Sequence, residues 1–107
     1  MSNYLDIYYT DYRDFPRLFV VPYGDVTLLF DASYDESTDE YPDDFTVFLL
    51  PRMTLDEARA DWASIGGRII RTLGRIRGDR SQFVGEAHQW CIDENVLKAV
   101  FNAARES

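Results

Sequence analysis

The chain has 107 residues, 46% of them hydrophobic and 28% charged, and its nineteen acidic and eleven basic side chains leave a net charge of −8. This length and composition predict one globular domain spanning residues 1–107, and they exclude both a disordered tail and a disulfide framework, because Cys91 is the only cysteine. The acidity sets an unfavourable field against polyanions, so nucleic acid is not expected as a partner. No apolar stretch approaches the roughly 20 residues of a membrane span. The start of the chain lacks the basic and apolar segments of a signal peptide, and a reducing, cytoplasmic setting is the expectation.

The first half reads as strands. Leu5, Ile7 and Tyr9 alternate with Asp6 and Tyr8, the period of two that marks one strand over residues 4–10. Residues 17–22 and 26–31 flank Tyr23-Gly24-Asp25, a short glycine-containing link that suggests a hairpin. Pro22 has no N–H to donate and belongs at a strand end or edge. Residues 18–21 and 45–50 are apolar on both faces, which marks them as the central strands. Between strands lies a long loop, Ala32 to Asp44.

Helical signals begin at Thr54, where Thr54-Leu55-Asp56-Glu57 fits a capping box. Leu55, Ala58, Trp62, Ile65, Ile69 and Leu73 then recur at spacings of three and four, which predicts one long helix with a single apolar stripe. Gly66-Gly67 interrupts it at a cost of about 1 kcal/mol per glycine. Residues 75–80 read as a loop, and 82–84 and 88–92 as short strands. Asp93 suits the N-cap of a last helix whose apolar face is Val96, Leu97, Val100, Phe101 and Ala104. The fold class is α+β: a mostly antiparallel sheet of four to five strands, one long helix across one face, and a C-terminal helix.

Charge placement is the main functional clue. Residues 1–50 hold eleven acids and two bases, whereas residues 51–107 hold eight and nine. Seven acids fall between Asp31 and Asp44 with no base among them, and all seven tyrosines lie within the first 41 residues. Such a surface attracts basic proteins, and tyrosine is favoured at interfaces. The candidate partner-binding residues are therefore Tyr34, Asp35, Glu36, Asp39, Glu40, Tyr41, Asp43 and Asp44. Tyr8 and Tyr12 are further candidates for an exposed face. The alternative is a divalent-cation-dependent small enzyme or ligand-binding domain built on the Asp31–Asp44 loop, although the EF-hand spacing is absent. A mimic of nucleic acid would need carboxylates spaced like phosphates, which sequence does not reveal.

Arg68, Arg71 and Arg75 recur at helical spacing. They predict a solvent face, or a self-association surface that meets the acidic loop of a second copy. His88 and Cys91 are three apart, but no orienting group or oxyanion site accompanies them, so Cys91 reads as a core residue and no catalytic residue is assigned. Neither a phosphate loop nor a zinc-binding set occurs, and no metal or other cofactor is expected. The leading reading is a non-enzymatic interaction module, of inhibitor, immunity or adaptor type, that docks on a basic protein surface.

Overall fold

The computed structural model describes residues 3–86 and 89–106, the side chains of Glu86, Arg105 and Glu106 excepted. In chain order the elements are β1 (Tyr4–Asp6), β2 (Tyr8–Arg13), β3 (Phe15–Tyr23), β4 (Val26–Asp31), β5 (Asp44–Pro51) and α1 (Leu55–Ala60). A 3-10 turn (Trp62–Arg68), β6 (Arg71–Arg77) and a second 3-10 turn (Arg80–Gln82) follow, then β7 (Phe83–Glu86), β8 (Gln89–Asp93) and α2 (Glu94–Glu106). The α+β class holds, with antiparallel pairing throughout. The strands form two sheets instead of one: a five-stranded sheet in the order β2-β3-β4-β5-β6 and a three-stranded sheet in the order β1-β8-β7.

The strand expected over residues 4–10 divides between these sheets. Ile7 is the crossing point, with its N–H donating to the Trp90 carbonyl (3.2 Å). The alternation still sorts the side chains correctly, because Leu5, Ile7 and Tyr9 all join one apolar cluster and Tyr8 faces the other. The hairpin forms as expected: Tyr23 pairs with Val26, and Gly24 takes a φ of 62° that an L side chain resists. The middle strand is β4, with β3 and β5 on either side of it.

The five-stranded sheet separates two cores. One face carries Phe19, Phe30, Phe45 and Val47 against Ile92 and Phe83 of the small sheet and Leu97 and Val100 of α2. The other carries Val20, Leu29 and Leu50 beneath Ala58 of α1 and Ile65 of the 3-10 turn. Burial on both sides is why β3 and β5 lack a polar face. The buried hydroxyl of Thr27 bridges to the next segment, accepting from the Met53 N–H (3.1 Å).

The single long helix is not formed. The Thr54 capping box is present, with Thr54 Oγ1 accepting from the Glu57 N–H (3.1 Å), but α1 has only six residues. Two adjacent glycines weaken helix propagation by about 2 kcal/mol together. The β-branched Ile69, Ile70 and Thr72 favour extended backbone, and the open edge of β5 supplies a partner for β6. Leu55, Ala58, Trp62, Ile65 and Ile69 nevertheless stay on one side of the sheet, as their spacing implies, while Leu73 joins the opposite core.

This change of element also disperses the arginine row. Arg68 pairs with Asp61 in the 3-10 turn. Arg71 lies opposite Leu49 and Arg75 opposite Thr46, so these two occupy different faces of β6, which is irregular between its pairings at Thr72 and Gly74. Arg68, Arg71 and Arg75 therefore form no common stripe. Arginines on β6 instead charge an edge strand, which hinders pairing with another chain. At the last helix the expectation holds: Asp93 Oδ1 accepts from the Asn95 N–H (2.9 Å), and Val96, Leu97, Val100 and Phe101 pack inward. Among the described residues, no helix is long and apolar enough to cross a membrane.

Candidate functional site: an acidic end of the sheet

Antiparallel pairing brings three segments to one end of the large sheet. The β2–β3 link around Asp14, the 31–44 loop and the exit from β6 meet there, because Arg13 pairs with Phe15, Leu18 with Asp31, and Asp44 with Arg77. Residues 11–17, 31–44 and 77–80 hold ten carboxylates against four guanidiniums. Among the described residues, none of these ten lies within salt-bridge distance of a basic side chain; the two ion pairs, Arg68–Asp61 and Lys98–Glu94, lie elsewhere. The surplus charge is thus presented to solvent.

The acidic loop is held by its own polar groups. Asp35 and Glu40 exchange backbone hydrogen bonds (2.9 and 3.4 Å), which closes a tight turn. Asp35 Oδ1 accepts from the Ser37 hydroxyl (2.6 Å) and the Ser37 N–H (2.9 Å), an Asx turn. The hydroxyl and then the N–H of Ser37 lower the Asp35 pKa. A lowered carboxyl stabilises the turn above the ordinary aspartate range, and that support fades as pH falls below it. Asp39 adopts a φ of 56°, a left-handed geometry that aspartate tolerates better than most residues. Its carboxylate accepts from the Tyr34 hydroxyl, and this bond is the main reason the phenol pKa is raised.

Glu36, Asp39, Glu40 and Asp43 are exposed, as is Tyr34 at 43%; Asp35, Tyr41 and Asp44 are half-buried. Tyr34 and Tyr41 meet edge to face at 5.5 Å. All eight predicted residues therefore belong to one end of the molecule. Of the two further tyrosines, Tyr12 is 45% exposed and lies tilted against Trp90 (5.4 Å), whereas Tyr8 packs edge-on against Trp62 (5.1 Å).

Two residues that organise this end were not singled out from sequence. Asp11 fastens the loop to β2: its carboxylate accepts from the N–H groups of Tyr12 (2.9 Å) and Tyr34 (3.4 Å) and from the Tyr41 hydroxyl (3.4 Å). Arg17 is only 9% exposed. Its guanidinium lies 4.0 Å from the Phe15 ring centroid and 5.2 Å from that of Tyr41. Nε donates to the Arg13 carbonyl and Nη1 to that of Pro42, each at 3.0 Å. The sequence signal was available: Arg17 interrupts an otherwise apolar strand, in a half of the chain that holds only one other base.

Among the described residues, no three histidine, cysteine or carboxylate side chains converge to hold a metal ion. His88, half of the pair considered with Cys91, lies outside the described residues. Cys91 Sγ lies 3.1 Å from Asp6 Oδ1, and burial first, then Asp6, push its thiol up to about 11. It stays protonated at neutral pH, and its alkylation by iodoacetamide at pH 7.5 is expected to run roughly a hundredfold slower than that of a free cysteine. Asp6→Asn recovers only part of the rate, because burial is the larger cause. A raised thiol pKa supports the fold below pH 9, and that support is lost as pH rises from about 9 to about 11.

No family model, curated protein or solved structure matches this chain.

Proposed function

We propose that the protein is a non-enzymatic interaction module whose acidic end docks on a basic surface of another protein, in the manner of an inhibitor, an immunity protein or an adaptor. One observation carries the reading: carboxylates outnumber guanidiniums ten to four at that end and, among the described residues, are not consumed by ion pairs. Burying such charge against a cationic partner is favourable where leaving it together is not. The contact residues are Tyr34, Asp35, Glu36, Asp39, Glu40, Tyr41, Asp43 and Asp44. A loop already closed by Asp35, Asp11 and Arg17 loses little further freedom on binding, which lowers the entropic cost of association. Tyr34 adds an aromatic surface at that contact.

The test compares wild type with the combined variant Glu36→Gln, Asp39→Asn, Glu40→Gln and Asp43→Asn in capture from lysate at low and high salt, with mass-spectrometric identification. A basic protein held by wild type at low salt and lost by the variant is the expected result. For the purified pair, the variant's association rate is expected to fall about tenfold or more with a smaller change in dissociation, the signature of lost electrostatic steering. Equal capture by both proteins, or a partner whose retention ignores salt, contradicts the proposal.

A further inference from the structure

The geometry points to a second feature of the same end: a cleft that receives one carboxylate side chain of the partner, set between basic residues, with Arg17 as its counter-ion. This rests on the docking reading above and specifies the chemistry of the partner. The cleft holds about 300 Å³ and is lined by Arg13 and Arg17, by Tyr34 and Tyr41, and by Asp14, Asp39 and Glu40.

Arg17 carries the argument. Arginine is almost never nine-tenths buried without an anionic partner, because a desolvated charge is costly unless it is paired. Among the described residues, no carboxylate lies within salt-bridge distance of Arg17. A guanidinium has five N–H donors, and Arg17 uses only Nε–H and one N–H of Nη1, both on backbone carbonyls. Several nearby carboxylates are engaged elsewhere, and Asp14 and Glu40, which also line the cleft, stay beyond salt-bridge distance of Arg17. Asp11 is bound to Tyr12, Tyr34 and Tyr41, Asp31 to Ser33, and Asp39 to Tyr34. Among the described residues the buried cation of Arg17 is therefore without an ion-pair partner. The remaining donors suit a carboxylate, which guanidinium binds through paired charge-assisted hydrogen bonds.

The surroundings decide what carries that carboxylate. A free anion is repelled by the net charge of −8 and by Asp14, Asp39 and Glu40 at the cleft. A glutamate or aspartate flanked by lysine or arginine meets both fields: its own charge on Arg17, its neighbours' charges on the acidic residues. The partner surface is thus basic with one acidic residue at its centre.

The test needs no mutation. Two blocked tripeptides, N-acetyl-Lys-Glu-Lys-amide and N-acetyl-Lys-Gln-Lys-amide, are titrated into the isotope-labelled whole protein at low salt, following the arginine Nε–H resonances. The glutamate peptide has the lower positive charge, so general attraction to an acidic protein favours the glutamine peptide. The inference expects the reverse: a saturable shift at Arg17 with the glutamate peptide, at least about fivefold tighter than with its glutamine counterpart. Equal binding, or tighter binding of the glutamine peptide, overturns the carboxylate site and leaves the docking reading standing. Absence of a saturable shift at Arg17 with either peptide also overturns it, and the lysate comparison then decides the docking reading separately.

Discussion

Phe45→Ala is expected to remove about 3–5 kcal/mol of folding stability, the range for deleting a large aromatic from a closed core. Phe45 is fully buried, with its ring centroid 5.5 Å from both Phe19 and Phe30 and 6.0 and 6.3 Å from Phe15 and Phe83. The contacts with Phe19 and Phe30 are edge to face, a geometry worth about 0.5–1.5 kcal/mol per pair beyond area burial. Collapse around the gap is restricted, because the neighbours belong to β3, β4 and β7 and are held by sheet hydrogen bonds. A domain of this size has about 5–15 kcal/mol to lose, so the variant sits near the edge of folding. Urea unfolding measures it, with Val84→Ala, at a half-exposed site, as a reference expected within about 0.5 kcal/mol of wild type. A loss below 1 kcal/mol for Phe45→Ala would contradict the aromatic packing.

Arg17→Met separates stability from binding. Removing the guanidinium forfeits two charge-assisted hydrogen bonds, about 1.5–3 kcal/mol each, and the cation–π contacts with Phe15 and Tyr41, about 0.5–2 kcal/mol. It also releases the several kcal/mol spent on desolvating a charge without an ionic partner, and methionine keeps much of the apolar stem. These effects are comparable and opposed, so the midpoint of urea unfolding is expected to move by the equivalent of about 1 kcal/mol or less. The acidic loop, by contrast, loses its tie at Pro42. Hydrogen exchange across Asp35–Asp43 is expected to quicken, and affinity for the basic partner to fall about tenfold. A destabilisation above 3 kcal/mol with unchanged affinity would assign Arg17 to the scaffold alone.

Local chemistry was the legible part of this sequence. The Thr54 capping box, the Gly24 hairpin and the Asp93 cap each depend on a few adjacent residues, and each forms as read. The stripe from Leu55 to Ile69 likewise faces one core, because a six-residue helix followed by a 3-10 turn keeps nearly the same side toward the sheet. What failed was non-local. Arg71 to Arg77 could extend a helix or add a strand, and the free edge of β5, far earlier in the chain, settled it. Ile7 gives no local sign of a change of sheet, since the alternation continues across it. The acidic end was visible as composition. Its organisation was not, because Arg17 and Asp11 act on residues brought near only by the pairing of β2, β3 and β4.

The small sheet has a consequence for how this protein is made. β1 precedes β8 by more than eighty residues and, among the described residues, pairs with it alone, Tyr4 opposite Asp93. During translation β1 therefore waits without its neighbour, and the phenylalanine face of the large sheet stays uncovered until β8 and α2 leave the ribosome. A nascent chain in that condition exposes an aggregation-prone apolar surface, and slow elongation through β8 and α2 would lengthen the period of risk.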